Sequence, residues 1–145
     1  MKKNKQLGQL VKILSDAFGE TEKIVSSKNV FLDYGYFDNK NNYRIVCFNV
    51  SRTYLHCERP NLYECTRKYW RLCGKRAQNA DFVFAICFGY IVGVFKPTRW
   101  YLTTSKEYEG RWEFEGEEIH DSPFVNMNIS HLIGRNQNPV MYINM

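Results

Sequence analysis

Leu7, Leu10, Val11, Leu14 and Phe18 fall at i, i+3, i+4, i+7 and i+11, the stripe of an amphipathic helix that stops near Gly19. Its apolar face predicts docking, either on the rest of the chain or on a partner subunit. Val30 to Phe37 and Tyr43 to Val50 are β-branched and aromatic runs on either side of the polar cluster Asp38-Asn39-Lys40-Asn41-Asn42, which predicts a hairpin. Ile45, Cys47 and Phe48 suggest burial on both faces of its second strand. Pro60 opens a second helix at a position where its missing N–H costs nothing, with Leu62, Cys65, Tyr69 and Cys73 as the inner face up to Gly74. Asp81 to Phe88 and Ile91 to Lys96 read as a central hairpin around Gly89-Tyr90, the second strand ending before Pro97. Trp100 to Thr104 and Arg111 to Glu115 follow as strands. In the latter, Trp112 and Phe114 share one face, and Arg111, Glu113 and Glu115 the other. Ile129 to Ile133 suits a helical turn, and Val140 to Ile143 a last short strand after Pro139. The pattern is α+β: a small antiparallel sheet flanked by an N-terminal helix and a central basic helix.

Length and composition fit one domain, since 145 residues at 44% hydrophobic and 16% aromatic fill a single core. The longest apolar run, Phe82 to Phe88, is far short of the roughly 20 residues of a membrane span, and Lys2, Lys3 and Lys5 lead into an amphipathic segment. A cytoplasmic protein with no membrane partner is therefore expected. Five cysteines, Cys47, Cys57, Cys65, Cys73 and Cys87, read as core or near-core thiols. Zinc does not fit His56, Cys57, Cys65 and Cys73, because Cys65 and Cys73 stand roughly 12 Å apart along the predicted helix. No cofactor is implied.

Charge changes the picture more than composition does. The net charge is +5, but residues 1–106 carry 18 basic and 8 acidic residues, whereas residues 107–145 carry 2 and 7. A basic flank of this kind attracts phosphate backbones. Arg67, Arg71 and Lys75 are spaced i, i+4, i+8 on the predicted helix with Lys68 and Arg76 beside them, a stripe suited to tracking phosphates; the alternative is a solvated helix face. Arg99-Trp100-Tyr101 and Arg111-Trp112 place rings next to guanidiniums on strands. Exposed, with Trp100, Trp112 and Tyr101 forming a pocket, they suit an unpaired or modified base; buried, they are core.

Catalytic chemistry has no comparable signal. Glu117-Glu118-Ile119-His120-Asp121 holds a lone His-Asp pair to which His56 and His131 have no recognisable spacing. No Gly-x-Ser-x-Gly is present, no cysteine has a catalytic neighbourhood, and Gly89 and Gly93 lack the strand-turn-helix context of a phosphate loop.

The string Leu62-Tyr63-Glu64-Cys65-Thr66-Arg67-Lys68-Tyr69-Trp70-Arg71-Leu72, then Lys75-Arg76-Ala77, Gly93-Val94-Phe95, Trp100, Arg111-Trp112-Glu113-Phe114-Glu115-Gly116 and Asn138-Pro139-Val140-Met141-Tyr142-Ile143-Asn144, resembles a module of bacterial and phage proteins. That module is similar to the PUA-like group of small barrels, which includes the ASCH and EVE domains. The resemblance covers about Asn49 to Asn144. It implies residues 49–145 as a PUA-like module with a partly barrel-like sheet, preceded by an extension, 1–48, of helix and hairpin. It also implies a non-catalytic nucleic-acid-binding role, with Arg67, Trp70, Arg71, Trp100, Arg111, Trp112, Asn138 and Asn144 as the matching positions. The acidic strip from Glu107 to Asp121 departs from the pattern. It leaves two alternatives: a phage or mobile-element protein that engages a host defence factor through the strip, and a metal-dependent nuclease using His120 and Asp121.

Overall fold

The computed structural model describes residues 34–55, 61–134 and 138–145. The helix predicted over Leu7 to Phe18 and the start of the strand predicted from Val30 lie outside them, as do His56, Cys57 and Pro60. Six strands, β1 (Ile45–Asn49), β2 (Lys68–Trp70), β3 (Phe82–Cys87), β4 (Tyr90–Leu102), β5 (Trp112–Glu118) and β6 (Val140–Ile143), form one sheet in the order β2-β5-β4-β3-β1-β6. Four short helices accompany them among the described residues: α1 (Ser51–Leu55), α2 (Leu62–Arg67), α3 (Gly74–Ala77) and α4 (Ser130–Ile133). The chain is thus α+β, but the sheet is mixed rather than antiparallel. β1 runs parallel to β3 and antiparallel to β6. The first four residues of β1, Ile45 to Phe48, are fully buried, as suits a strand covered on both faces.

The hairpin predicted between Val30 to Phe37 and β1 does not form within the described residues. Tyr36 instead makes one parallel bridge to Asn128, while Asn39 closes the turn by accepting from Tyr43 N and donating to Tyr43 O, both at 3.0 Å. The β3–β4 hairpin is present. Its turn residues are Phe88 and Gly89, at φ of 51° and 83°, the positive values that a type I′ turn requires.

The two strands predicted on either side of Pro97 are one strand. β4 continues through Pro97 with a bulge at Thr98, since Pro97 pairs with Gly116 and Arg99 with Glu115; a bulge is where a strand tolerates proline. The extra residue shifts the alternation, so Phe95 and Trp100 both face the same core. Gly116 is required opposite the bulge, because a Cβ there would run into the main chain of Lys96 and Pro97.

The sheet curls strongly. Four strand-to-strand steps separate β2 from β1, which in a flat sheet is about 19 Å. Yet Trp70 of β2 stacks face to face on Phe48 of β1, with centroids 4.3 Å apart and planes 3° from parallel. The concave interior holds Val46, Phe48, Phe95, Phe114 and Val140, capped by Leu62, Tyr63 and Ala77 from α2 and α3. The convex face buries Ile45, Cys47, Phe84 and Ile86 under Phe37, Phe124 and Ile129. Among the described residues, no helix is long and apolar enough to cross a membrane.

The predicted basic helix is broken. Asn61 caps α2 by accepting from Glu64 N at 2.9 Å, but the helix ends at Arg67, and Lys68 is extended at φ −160°. Trp70 explains the break: its Nε1–H donates to Thr66 O at 2.7 Å, satisfying a helix-end carbonyl, while its ring inserts over Phe48. Interior packing of aromatic, strand-favouring residues outweighs the helical pattern. The i, i+4, i+8 stripe of Arg67, Arg71 and Lys75 therefore does not exist; the three lie on α2, beyond β2, and on α3.

Candidate nucleic-acid interface

Curling brings the two edge strands close without closing the barrel. Tyr69, Trp70 and Arg71 on one side and Asn138, Pro139 and Val140 on the other, with Arg111, line a cleft of about 270 Å³ between β2 and β6. Each wall has a local cause. On the β6 side, Asn138 accepts from Val140 N at 3.0 Å, and Pro139 O accepts from Asn49 N at 2.8 Å, fixing the strand's entry against β1. On the other side, the loop between β4 and β5 is closed by Thr103 N donating to Arg111 O at 2.8 Å and Arg111 N to Tyr108 O at 3.0 Å. That loop presents Tyr108, which stacks on Tyr69 with centroids 4.2 Å apart, and the Arg111 guanidinium lies 5.3 Å from the Tyr108 ring.

The predicted site residues separate into those already engaged and those that are open. Arg67 is engaged: its side chain is only 13% exposed and meets Glu113 at 2.9 Å, Glu64 at 3.5 Å, Tyr101 Oη at 2.6 Å and Phe114 O at 3.2 Å. Burial alone would lower its pKa, but the surrounding Tyr101, Glu64 and Glu113 oxygens raise it. Lys68 pairs with Glu64 at 3.3 Å, and Arg99 with Glu115 at 3.6 Å. Arg76 lies 3.9 Å over the Tyr142 ring and donates to Met145 O. Arg71 and Lys75 are exposed. Arg71 and Arg111 take part in no ion pair among the described residues, and both line the cleft between the sheet edges.

The aromatic pocket expected from Trp100, Trp112 and Tyr101 does not assemble. Trp100 packs in the interior, 5.1 Å from Phe114 and 6.2 Å from Phe48. Trp112 is half-buried, with Gly74 directly against its ring. Strand alternation sends Tyr101 to the opposite face, where its hydroxyl donates to Glu113 at 3.0 Å. Tyr69, Tyr108 and Trp70 are the rings near the open arginines. Tyr108 escaped the sequence reading; an aromatic set among Lys106, Glu107 and Glu109 in a loop is the signal that marks it.

The acidic strip is not continuous. Glu113 is 7% exposed and held by Arg67. Along the same face, Glu115 pairs across the strands with Arg99 and Glu117 with Lys96, a ladder of opposite charges. No three of His, Cys, Asp and Glu gather as metal ligands among the described residues; His120 lies 3.8 Å from Glu118. Cys47, Cys65 and Cys87 are buried as expected, whereas Cys73 is exposed. Burial pushes the Cys47 thiol up and that of Cys87 to about 12, so both stay protonated at neutral pH and neither is a nucleophile. No protein-family model matches the chain, and neither does any curated protein or solved structure.

Proposed function

We propose that the chain is a non-catalytic nucleic-acid-binding module of the PUA-like kind, and that the cleft between β2 and β6 is its contact surface. The observation that carries this reading is the convergence of Arg71 and Arg111, two predicted guanidiniums in no ion pair among the described residues, on one aromatic-walled cleft. Arginine suits phosphate because its planar fork donates two parallel hydrogen bonds, and the cleft's aromatic lining of Tyr69 and Trp70, with Tyr108 stacked behind Tyr69, suits packing of an unpaired base. The curl of the sheet agrees with the partly barrel-like sheet that the PUA-like resemblance implies. Lys75, exposed on α3, adds a further cation.

Binding to fluorescent single- and double-stranded DNA and RNA at about 50 and about 200 mM salt tests the reading, because phosphate contacts release counterions. Micromolar or tighter binding that weakens steeply with salt is expected, with single strands preferred. Arg71→Ala should weaken binding to all sequences and flatten the salt slope by about one unit. Absence of binding at low salt would overturn the proposal.

A further inference from the structure

Charge balance in the cleft narrows the ligand beyond a running strand, on the footing that the cleft binds nucleic acid at all. Its described lining holds two guanidiniums, Arg71 and Arg111, and no carboxylate; the rest is two aromatic rings, Asn138, Pro139 and Val140. A phosphodiester inside a strand carries one negative charge, whereas a terminal phosphate monoester carries about −1.5 to −2 at neutral pH. Two fixed cations in one small cleft are matched by the second and left half-compensated by the first. The volume, about 270 Å³, is slightly below the usual range for small-ligand pockets, room for one nucleotide and far too little for a duplex.

We infer that the β2–β6 cleft accepts a single nucleotide bearing a terminal phosphate monoester, its phosphate held by Arg71 and Arg111 and its base against the aromatic part of the lining, Tyr69 and Trp70. The same chemistry is offered by the phosphorylated end of a strand and by a free mononucleotide. Stacking places Tyr108 behind Tyr69, and Arg111 against Tyr108, so the second guanidinium and the ring wall are positioned together. Lys68 lies 5.3 Å from the Tyr69 ring and is paired with Glu64, outside the lining.

The test uses the full chain and tetranucleotides carrying a 5′-phosphate, a 3′-phosphate or hydroxyls at both ends, with a nucleoside monophosphate and inorganic phosphate as further probes. At pH 7.5, at least one phosphorylated end should bind about tenfold tighter than the hydroxyl form. That preference should shrink towards pH 5.5, where a monoester with second pKa of about 6 gains a proton. Among the described residues, the groups that line the cleft are Arg71 and Arg111, with Tyr69 and Trp70 beside them and Asn138, Pro139 and Val140 on the β6 side, so the proton is the ligand's. Arg71→Ala and Arg111→Ala should each abolish the preference, and Arg99→Ala, outside the cleft, should keep it. Equal affinity for all three tetranucleotides, with salt-dependent binding, would overturn the inference and leave the module reading standing. Binding of the mononucleotide alone would uphold the inference, identify free nucleotide as the ligand and overturn the module reading. No binding of any probe would overturn both.

Discussion

Arg67 and Arg71 are four residues apart in sequence, and the structure gives them opposite surroundings. Arg67 ties the end of α2 to β4 and β5 through Glu113, Tyr101 and the Phe114 carbonyl. With 13% and 9% side-chain exposure for Arg67 and Glu113, removing one partner leaves a buried charge uncompensated. Arg67→Ala should therefore destabilise the fold by about 3 to 5 kcal/mol, read as a lower urea midpoint. At temperatures where the variant is folded, it should leave the salt slope of nucleic-acid binding unchanged. A flattened slope with unchanged stability would reverse the assignment and make Arg67 a phosphate contact. Asp81 offers a second test at this scale. Hydrogen bonds from the Arg44 side chain and main chain hold its carboxyl below the ordinary range. A depressed folded-state pKa contributes stability that is present above about pH 4 and is lost as pH falls through the folded value. The difference in urea midpoint between the wild type and Asp81→Asn should thus be largest near pH 6 and shrink towards pH 3. A difference independent of pH would show that the ion pair is energetically silent.

Elements whose apolar run is short and whose ends carry strong turn chemistry were legible: β3 with its turn at Gly89, β5 with Trp112 and Phe114 on one face, α4, and β6 after Pro139. The segment from Leu62 to Gly74 was not, because its spacing is helical while two of its residues answer to distant partners. Trp70 is fixed by Phe48 and by the Thr66 carbonyl, and Lys68 lies opposite Glu113 on β5. Neither contact leaves a periodic trace. The bulge at Thr98 was hidden for a related reason, since one inserted residue exchanges the two faces and a pattern of period two cannot register it. Pairing between strands distant in sequence also explains the site. The pair Arg111-Trp112 was marked by composition, but only the pairing of β2 with β5, with Trp70 opposite Trp112, shows that Arg111 lies beside Arg71. A prediction follows for the bulge itself. Gly116→Ala introduces a Cβ into the Lys96 main chain, so β4 and β5 must separate locally. The expected destabilisation is about 1 to 3 kcal/mol by chemical denaturation; an unchanged midpoint would mean that the bulge absorbs the methyl group.

On the scale of the molecule, the sheet has a middle buried on both faces and two short, less buried edge strands, and the proposed site lies between those edges. β1 and β3 are buried on both faces, contributing Ile45, Cys47, Phe84 and Ile86 to one core and Val46, Phe48, Val83 and Ala85 to the other. β2 has three residues and one neighbouring strand, and β6 has four and one. Opening free energies should follow this gradient, because local unfolding is easiest where few buried contacts hold the backbone. Amide hydrogen exchange should be slowest in β1 and β3 and fastest in β2 and the outward edge of β6. Trp70 moderates the difference by anchoring β2 to the interior through Phe48, so Trp70→Ala should release β2 while leaving β3 protected. A ligand seated between β2 and β6 binds both edges at once and so lowers the population of their opened states. Added nucleic acid should then slow exchange at residues 69–71, at Asn138 and Val140 and at the Tyr108–Arg111 turn, with little change in β3. Protection gained instead along the convex face, at Phe124 to Ile129, would place the contact on the other side of the sheet and remove the cleft from the binding surface.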